Sequence, residues 1–528
     1  MVFYDDGRLR ENADPLAIFF YRQLTLFAKK YKVDCPPQAI TDAVREFVED
    51  DLERPKPSRF WHSTDPWDAT SRPSFAALAT CPSDRSLLSI LDIVSRIISN
   101  SLGVFDPADW RCKHGPGAVS ERAGKHDKYR WANWPTALET VFPFADYGFH
   151  SYSSWADYVC HNDVDSGQPP SRLVAVPKSY DGPRLIAAEP ASGMWCQQSM
   201  LAYFSCRFSR TFIGEFIQLS DQARNRDFAL TGSRTDHIAT IDLSSASDTV
   251  TCQIVESMFG YNKSLMEALR SIRTPTVSQQ LTDKVNETHE LRMFSTMGNA
   301  VTFPVESLVF LAVALTATCY TDGINPTVGT LRSLSADTSV YGDDIVIPNR
   351  SRDAMCRLLE LLQFRCNTRK TFWEGNFRES CGCDAFRGHD VTPIYWRQQF
   401  TGTAVSLSSC VDVRNAFYRK YLLHTSAAIE STLPSGIPEV AYDSGVFGYV
   451  VRRLPITPVR VRWNSDLQRH EAKVLSVQAK PTLVRTQGHS ALLQYFTEKP
   501  SPHFRWKAGY VRDSNEVIRW RWLDLGDL

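Results

Sequence analysis

Two adjacent carboxylates, Asp343 and Asp344, end a Tyr341-Gly342-Asp343-Asp344 tetrapeptide set between apolar, β-prone residues, Ser339-Val340 before it and Ile345-Val346-Ile347 after it. Strands of that composition bury themselves and leave the turn between them, with its acids, in water. Hard oxygen donors at such a turn suit divalent cations, although a merely solvated Gly-Asp hairpin turn has the same appearance. A second acidic site precedes it. Ala239-Thr240-Ile241 reads as a strand running straight into Asp242, followed by Leu243-Ser244-Ser245-Ala246-Ser247-Asp248. Read alone, Asp242 is a strand-end acid that caps the next turn. If its strand neighbours the 343–344 turn, then Asp242, Asp343 and Asp344 converge and can hold two Mg²⁺ ions, with Mn²⁺ a possible substitute. One ion would activate an attacking hydroxyl and the other would stabilise a leaving phosphate, with Asp248 placed to meet a sugar.

Three further segments carry polar groups that such chemistry would use. Phe294-Ser295-Thr296-Met297-Gly298-Asn299-Ala300 leads into an apolar helix. Its glycine lets backbone approach a ligand closely, and Asn299 offers both a donor and an acceptor; Ser295 also serves as a plain helix cap. In Val176-Pro177-Lys178-Ser179-Tyr180-Asp181-Gly182-Pro183-Arg184 a turn separates two strand-like runs, so that a β-hairpin brings Lys178 and Arg184 to one side, where a triphosphate fits. Two solvated charges flanking a hairpin give the same pattern. Lys370, ahead of Phe377-Arg378-Glu379-Ser380-Cys381-Gly382, is a candidate to protonate or neutralise a departing pyrophosphate.

These residues need a frame to hold them. The first fifty residues read as helical, and Leu87, Leu91, Val94 and Ile98 recur at helical spacing. Between them, Pro55, Pro57, Pro66 and Pro73 mark an irregular connection. From about Ser171 to Val391, short β-prone runs alternate with helical stretches, which predicts an α+β domain with helices on one face of a small antiparallel sheet. The apolar run Leu308 to Leu315 is too short to span a bilayer and reads as a buried helix. The first residues, acidic and without an apolar core, do not read as a signal peptide.

With 43% hydrophobic and 22% charged residues in 528, wholesale disorder is excluded and several subdomains are affordable. The 59 basic and 59 acidic side chains cancel, so any grip on nucleic acid must come from local clusters. One comprises Arg111, Lys113, Arg122, Lys125, Lys128 and Arg130, around the flexible His114-Gly115-Pro116-Gly117. Others are Arg452, Arg453, Arg460, Arg462 and Arg469 with Trp463, then Arg505-Trp506-Lys507 and Arg519-Trp520-Arg521-Trp522. Thirteen scattered cysteines suggest reduced thiols in a cytoplasm, and Cys381 and Cys383 read as small buried residues.

The ordered set of basic hairpin, Asp242 and Asp248, Ser295 with Gly298-Asn299, Tyr341 to Asp344 and the Lys370 to Gly382 segment resembles the palm signature of viral RNA-directed RNA polymerases. More narrowly it is similar to the replicase catalytic subunit of levivirus-type positive-strand RNA bacteriophages. Val176-Pro177-Lys178, Ala188-Glu189-Pro190 and His114-Gly115-Pro116-Gly117-Ala118 add to the likeness, which covers about residues 110 to 400.

The resemblance implies a right-hand fold. Residues 1–60 would be an N-terminal helical region, 61–195 fingers, 196–250 and 290–400 palm with a split βαβ core, 251–289 a fingers insertion, and 401–528 thumb. It implies Asp242 and Asp343 as principal metal ligands, Asp344 as an auxiliary ligand and Lys370 as general acid. Lys178, Arg184, Asp248, Ser295, Gly298 and Asn299 would bind the nucleotide, with Asp248 and Asn299 reading the ribose 2′-hydroxyl. Lys113, His114, Arg122, Lys125 and Lys128 would contact RNA. The implied partners are template and product RNA, ribonucleoside triphosphates, and host elongation factors Tu and Ts with a host ribosomal protein; no membrane is implied. The implied setting is the cytoplasm of an infected bacterium. Two rivals remain at this stage. A reverse transcriptase would share the Tyr-x-Asp-Asp turn but carry a bulky aromatic where Asp248 stands, and a non-catalytic RNA-binding protein would leave the three acids unexplained.

Overall fold

The computed structural model describes residues 2–5, 9–10, 12–62, 74–115, 117–121, 127–179, 182–453, 460–483, 488–497 and 510–524. Helix and strand are mixed throughout, as the α+β reading requires. Near the N-terminus, α1 (Pro37–Leu52) starts on a proline, whose fixed φ suits the first helical turn. It buries Val44 and Phe47 against Leu173, Ala187, Val277, Leu291 and Met293. Its last turn also carries a buried acid: Asp51 accepts the Arg292 and Met293 N–H groups at 2.9 and 2.8 Å and pairs with His289 at 2.7 Å. The helix is thereby latched to a segment far along the chain.

The basic hairpin is present. Strand β1 (Ser171–Ser179) pairs antiparallel with β2 (Gly182–Ala188), Val176 opposite Arg184, and residues 276–278 and 288–290 extend the sheet to four strands. A long helix, α2 (Ala191–Arg210), follows, and then α3 (Ala223–Thr235). Strand β3 (Ile238–Ile241) leads into Asp242 as the sequence predicts.

Helix α4 (Thr302–Asp322) is longer than the apolar run that announced it. By length and hydropathy, 1.6 on average, it could cross a membrane, yet 94% of that stretch is buried inside the protein. A helix apolar all round has no wet face and belongs in a core. It ends at Gly323, whose left-handed φ of 64° lets its N–H reach back to the Cys319 and Tyr320 carbonyls.

Strands β4 (Ser339–Tyr341) and β5 (Asp344–Pro348) flank the acidic turn, and β5 lies between β3 and β4 in an antiparallel three-stranded sheet. Ile241 stands opposite Ile345, so one further step along the ladder sets Asp242 across from Asp344. The sequence predicts helices on one face only. Instead all four residues of β3 are buried, as are Ile345 to Pro348 of β5, so both faces are covered; such strands are continuous apolar runs without alternation.

The segment after residue 400 was least legible in the sequence. It forms helices Ala404–Arg419 and Leu423–Glu430 and an antiparallel sheet of Arg460–Asn464, Arg469–Leu483 and Tyr510–Asp524. Leu475, Val477 and Ile518 seat that sheet on Val411, Phe447 and Tyr449. Its cations are mostly spent internally: Arg462 and Arg469 both pair with Glu471, at 2.8 and 3.0 Å, and Arg462 lies over the Trp522 ring. Arg453 pairs with Glu439, and Arg452 stacks on Tyr421 and Tyr442. Most of that expected RNA-binding patch is therefore paired within the chain, although Arg452, Arg453, Arg460, Arg462 and Trp463 remain exposed. Arg505, Trp506 and Lys507 lie outside the described residues.

Candidate active site

The acidic turn is held from beneath. Gly342 has φ +61°, and a Cβ there would lie 2.6 Å from Phe303 and 3.1 Å from Glu306, so glycine is required by conformation and by space. Its N–H donates to Ser307 Oγ at 3.1 Å, and Tyr341 packs edge-on against Phe303. From the other side buried Asn225 of α3 pins both flanking strands, accepting from Ser339 Oγ at 2.6 Å and donating to the Asp344 carbonyl at 3.0 Å.

Asp242 and Asp343 line one cavity of about 600 Å³. Arg184, Asp248, Gly298, Asn299, Glu306 and Lys370 line it too, and α1 closes a side with Glu46 and Asp50, followed by Arg54 just past its end. Asp242 accepts from Asn367 Nδ2 at 2.8 Å and faces Lys370 Nζ at 3.5 Å. Burial raises its carboxyl above the usual range, Lys370 opposes that, and Asp343 adds repulsion. Burial lowers the Lys370 ammonium, but Asp242, Glu379 and Asp343 together outweigh it and hold the group protonated. Asp344 behaves differently. It is absent from the cavity wall and hydrogen-bonds with Cys381, and burial, reinforced by Asp343 and Asp242, pushes its carboxyl up to about 6. The three acids are electrostatically coupled. Among the described residues, however, no three His, Cys, Asp or Glu side chains already form a metal-holding group. The pair that faces the cavity is Asp242 and Asp343. Two facing carboxylates that repel one another are the donor set a hard divalent cation takes, so the residues present fit Mg²⁺.

The sugar-side residues divide. Asp248 lines the cavity, its carboxyl pushed up to about 6 by burial. Asn299 spends its side-chain oxygen on the Val301 N–H at 3.0 Å, while its Nδ2 is buried without a hydrogen-bond partner among the described residues. That leaves the two N–H donors of its amide nitrogen for a ligand. Gly298 has φ +127°, and a Cβ there would sit 1.9 Å from the Ala187 carbonyl oxygen. It lets the loop approach strand β2, where Ala187 N–H donates to Met297 O at 2.7 Å, and it also lines the cavity. Ser295 is corrected. Its Oγ is buried against Thr302 Oγ1 at 2.8 Å and belongs to the loop's own framework.

The expected RNA contacts fare unevenly. Lys113 is exposed, as expected of a phosphate ligand, and Arg184 is exposed on the hairpin. Lys128 is buried and donates to the Gly115 and Gly117 carbonyls, so it braces the loop from inside and cannot reach RNA from there. His114 is wedged among Tyr129, Trp131 and Trp195 with both ring nitrogens buried, and burial together with the Lys128 charge pushes its pKa down to about 3. It is a neutral packing group. Arg122 and Lys125 lie outside the described residues, as does the Lys178 side chain. Because Lys128 satisfies two carbonyls in the interior, Lys128→Met should cost about 2 kcal/mol of stability in denaturant titration, with the salt slope of RNA binding unchanged.

Sequence reasoning missed Glu306. It is buried under the turn on α4, and burial, then Asp343 and Asp248, hold its carboxyl well above the usual range. A lone acid just ahead of the apolar run was the available signal. It also missed α1 as a wall of the cavity, where the Asp51 latch and the packing of Val44 and Phe47 seat it.

The α+β fold thus brings two carboxylates, one at a strand end and one at a hairpin turn, to one cavity wall beside the exposed Arg184. The family model described as RNA replicase, beta-chain matches residues 84–421, and the chain belongs to that family. It is 31% identical over 329 residues to the RNA-directed RNA polymerase subunit beta of Enterobacteria phage SP, covering 62% of this chain and 52% of that one. Against the RNA-directed RNA polymerase subunit beta of Escherichia virus Qbeta it is 35% identical over 251 residues, 48% of this chain and 38% of the relative. The RNA-directed RNA polymerase beta chain of Escherichia phage MS2 is 37% identical over 223 residues, 42% and 37% of the two chains. The chain thus spans about half the length of these relatives or less. A solved RNA-dependent RNA polymerase of bacteriophage phi12 superposes with a TM-score of 0.41 at 10% identity, covering 79% of this chain and 81% of that one.

Proposed function

We propose that this chain synthesises RNA on an RNA template from ribonucleoside triphosphates, as a viral replicase. The observation that carries the reading is the convergence of Asp242 and Asp343 on one cavity with Arg184, Asp248 and the free Asn299 amide. Bound there by Asp242 and Asp343, two Mg²⁺ ions would supply activation of the RNA 3′-hydroxyl and neutralisation of the leaving pyrophosphate, and Asp344 would join as an auxiliary ligand only on leaving Cys381.

The chain's own residues then have distinct tasks. Arg184, with Lys178 on the paired strand, grips the triphosphate and aligns its α-phosphate for in-line attack. Asp248 accepts from the ribose 2′-hydroxyl and Asn299 Nδ2 donates to it, so a deoxyribose leaves both unmatched in a buried site. Lys370, protonated beside Asp242, gives its proton to the departing pyrophosphate. In this reading the sheet of β3, β4 and β5 with α3 and α4 is the palm, the β1–β2 hairpin belongs to the fingers, and the segment beyond residue 400 is the thumb.

The purified chain, given a primed RNA template, Mg²⁺ and labelled ribonucleotides, should extend the primer in template order and stop when the cation is chelated. Binding of the RNA with no extension under any divalent cation would favour the non-catalytic alternative. Extension with deoxyribonucleotides as readily as with ribonucleotides would favour the reverse-transcriptase alternative.

A further inference from the structure

Asn299 stands on a loop without regular structure; its side-chain oxygen takes the Val301 N–H at 3.0 Å within the loop, and contacts from outside fix where the loop as a whole sits. Two ties do this. From strand β2, the Ala187 N–H holds Met297 O at 2.7 Å. From α2, Gln197 Oε1 accepts the Ala300 N–H at 3.2 Å. Gln197 is wholly buried, and its own orientation is set from the other end: Nε2 donates to Glu189 Oε2 at 2.9 Å and to the Ile272 carbonyl at 3.2 Å. Glu189 Oε2 also accepts from Thr274 Oγ1 at 2.6 Å. The result is a buried polar chain, Thr274 to Glu189 to Gln197 to Ala300, ending one residue from Asn299. None of its members touches the cavity wall, and nothing in the catalytic chemistry needs a glutamate and a glutamine there.

The acid is costly to keep. Glu189 is buried, and that burial pushes its carboxyl up to about 7 against the pull of Thr274, Gln197 and the Arg273 guanidinium. Arg273 is itself spent on the Phe294, Leu291 and Met293 carbonyls just ahead of the loop. A buried hydrogen-bonded chain of this kind fixes one geometry, because every alternative leaves a polar group unpaired. Strand β2 adds a second consequence. It carries both Arg184 and the Ala187 tie, so the triphosphate grip and the sugar-reading loop hang from one strand.

We infer that Gln197, oriented by Glu189, is a positioning residue for sugar selection: it holds the 297–300 loop so that Asn299 meets the ribose 2′-hydroxyl. This rests on the polymerase reading above and concerns specificity, not the chemical step.

The test is the ratio of kcat/KM for a ribonucleotide to that for its deoxy counterpart on a primed RNA template. In Gln197→Ala the ratio should fall about tenfold, with kcat for the ribonucleotide within about twofold of the parent. Gln197→Glu places two acids together that must share a proton, so its ratio should be near the parent's at about pH 6 and fall by about pH 8, while the parent's stays level. The exchange Glu189→Gln with Gln197→Glu reverses donor and acceptor and restores the links to Ala300 and Thr274 but leaves the Ile272 carbonyl without its donor, so at about pH 8 its ratio should lie between that of Gln197→Glu and that of the parent. An unchanged ratio in Gln197→Ala, or an exchange variant no better than Gln197→Glu alone, overturns the inference and leaves the polymerase reading standing. A parent chain that extends no primer overturns both.

Discussion

Asp343→Asn should abolish nucleotide incorporation, by at least about a thousandfold or roughly 4 kcal/mol in the barrier, while RNA binding persists. The substitution keeps the side chain's shape and removes only its charge. What shapes the turn does not involve that charge: Gly342 N–H rests on Ser307, Tyr341 on Phe303, and Asn225 ties both strands. The fold should therefore survive. The site should not, because of Asp242, Asp343 and Asp344 only the first two reach the cavity wall, and Asp344 is turned toward Cys381, unable to replace Asp343 without leaving that partner. Primer extension and filter binding at one salt concentration separate the two effects. Loss of RNA binding along with extension would mean the turn is a structural element.

Gly298→Ala should be nearly as damaging, by a different route. The added Cβ would fall 1.9 Å from a backbone oxygen of β2, which no side-chain rotamer can relieve, and φ +127° is itself unfavourable for alanine. Either the loop leaves β2, losing the Ala187 to Met297 bond, or β2 shifts and carries Arg184 with it. Both displace nucleotide-binding groups, so incorporation should fall on the order of a hundredfold. The KM for the nucleotide should rise with that loss, and about 3 kcal/mol of stability should go as well. Near-parental steady-state kinetics would show that the loop tolerates a different seat.

What the sequence made legible was local. A strand ending in Asp242, a Gly-Asp turn between two apolar strands and a two-strand hairpin are patterns written in adjacent residues, and each is present where the pattern put it. The register that sets Asp242 across from the turn was a requirement of the reading, and the β3–β5 ladder meets it. Illegible were the properties that depend on what packs above a residue. Lys128 and Lys113 look alike in sequence, yet one is buried against carbonyls and the other is in water. Ser295 and Asn299 lie four residues apart, yet the first turns inward and the second keeps a free donor. Glu306 was hidden because it stands just ahead of the apolar run Leu308 to Leu315, in the first turns of a helix that begins earlier than that run. The alternation of Arg519-Trp520-Arg521-Trp522 was a period-two signal for the strand it forms, overlooked because composition drew attention first.

We propose that Asp242 and Asp343 hold a divalent cation between them. Anomalous diffraction from crystals soaked in Mn²⁺ tests it most directly. The account predicts a manganese peak ligated by an oxygen from each of these two carboxylates, lost in Asp343→Asn crystals. Manganese bound by one of them alone, or only elsewhere in the protein, would contradict it.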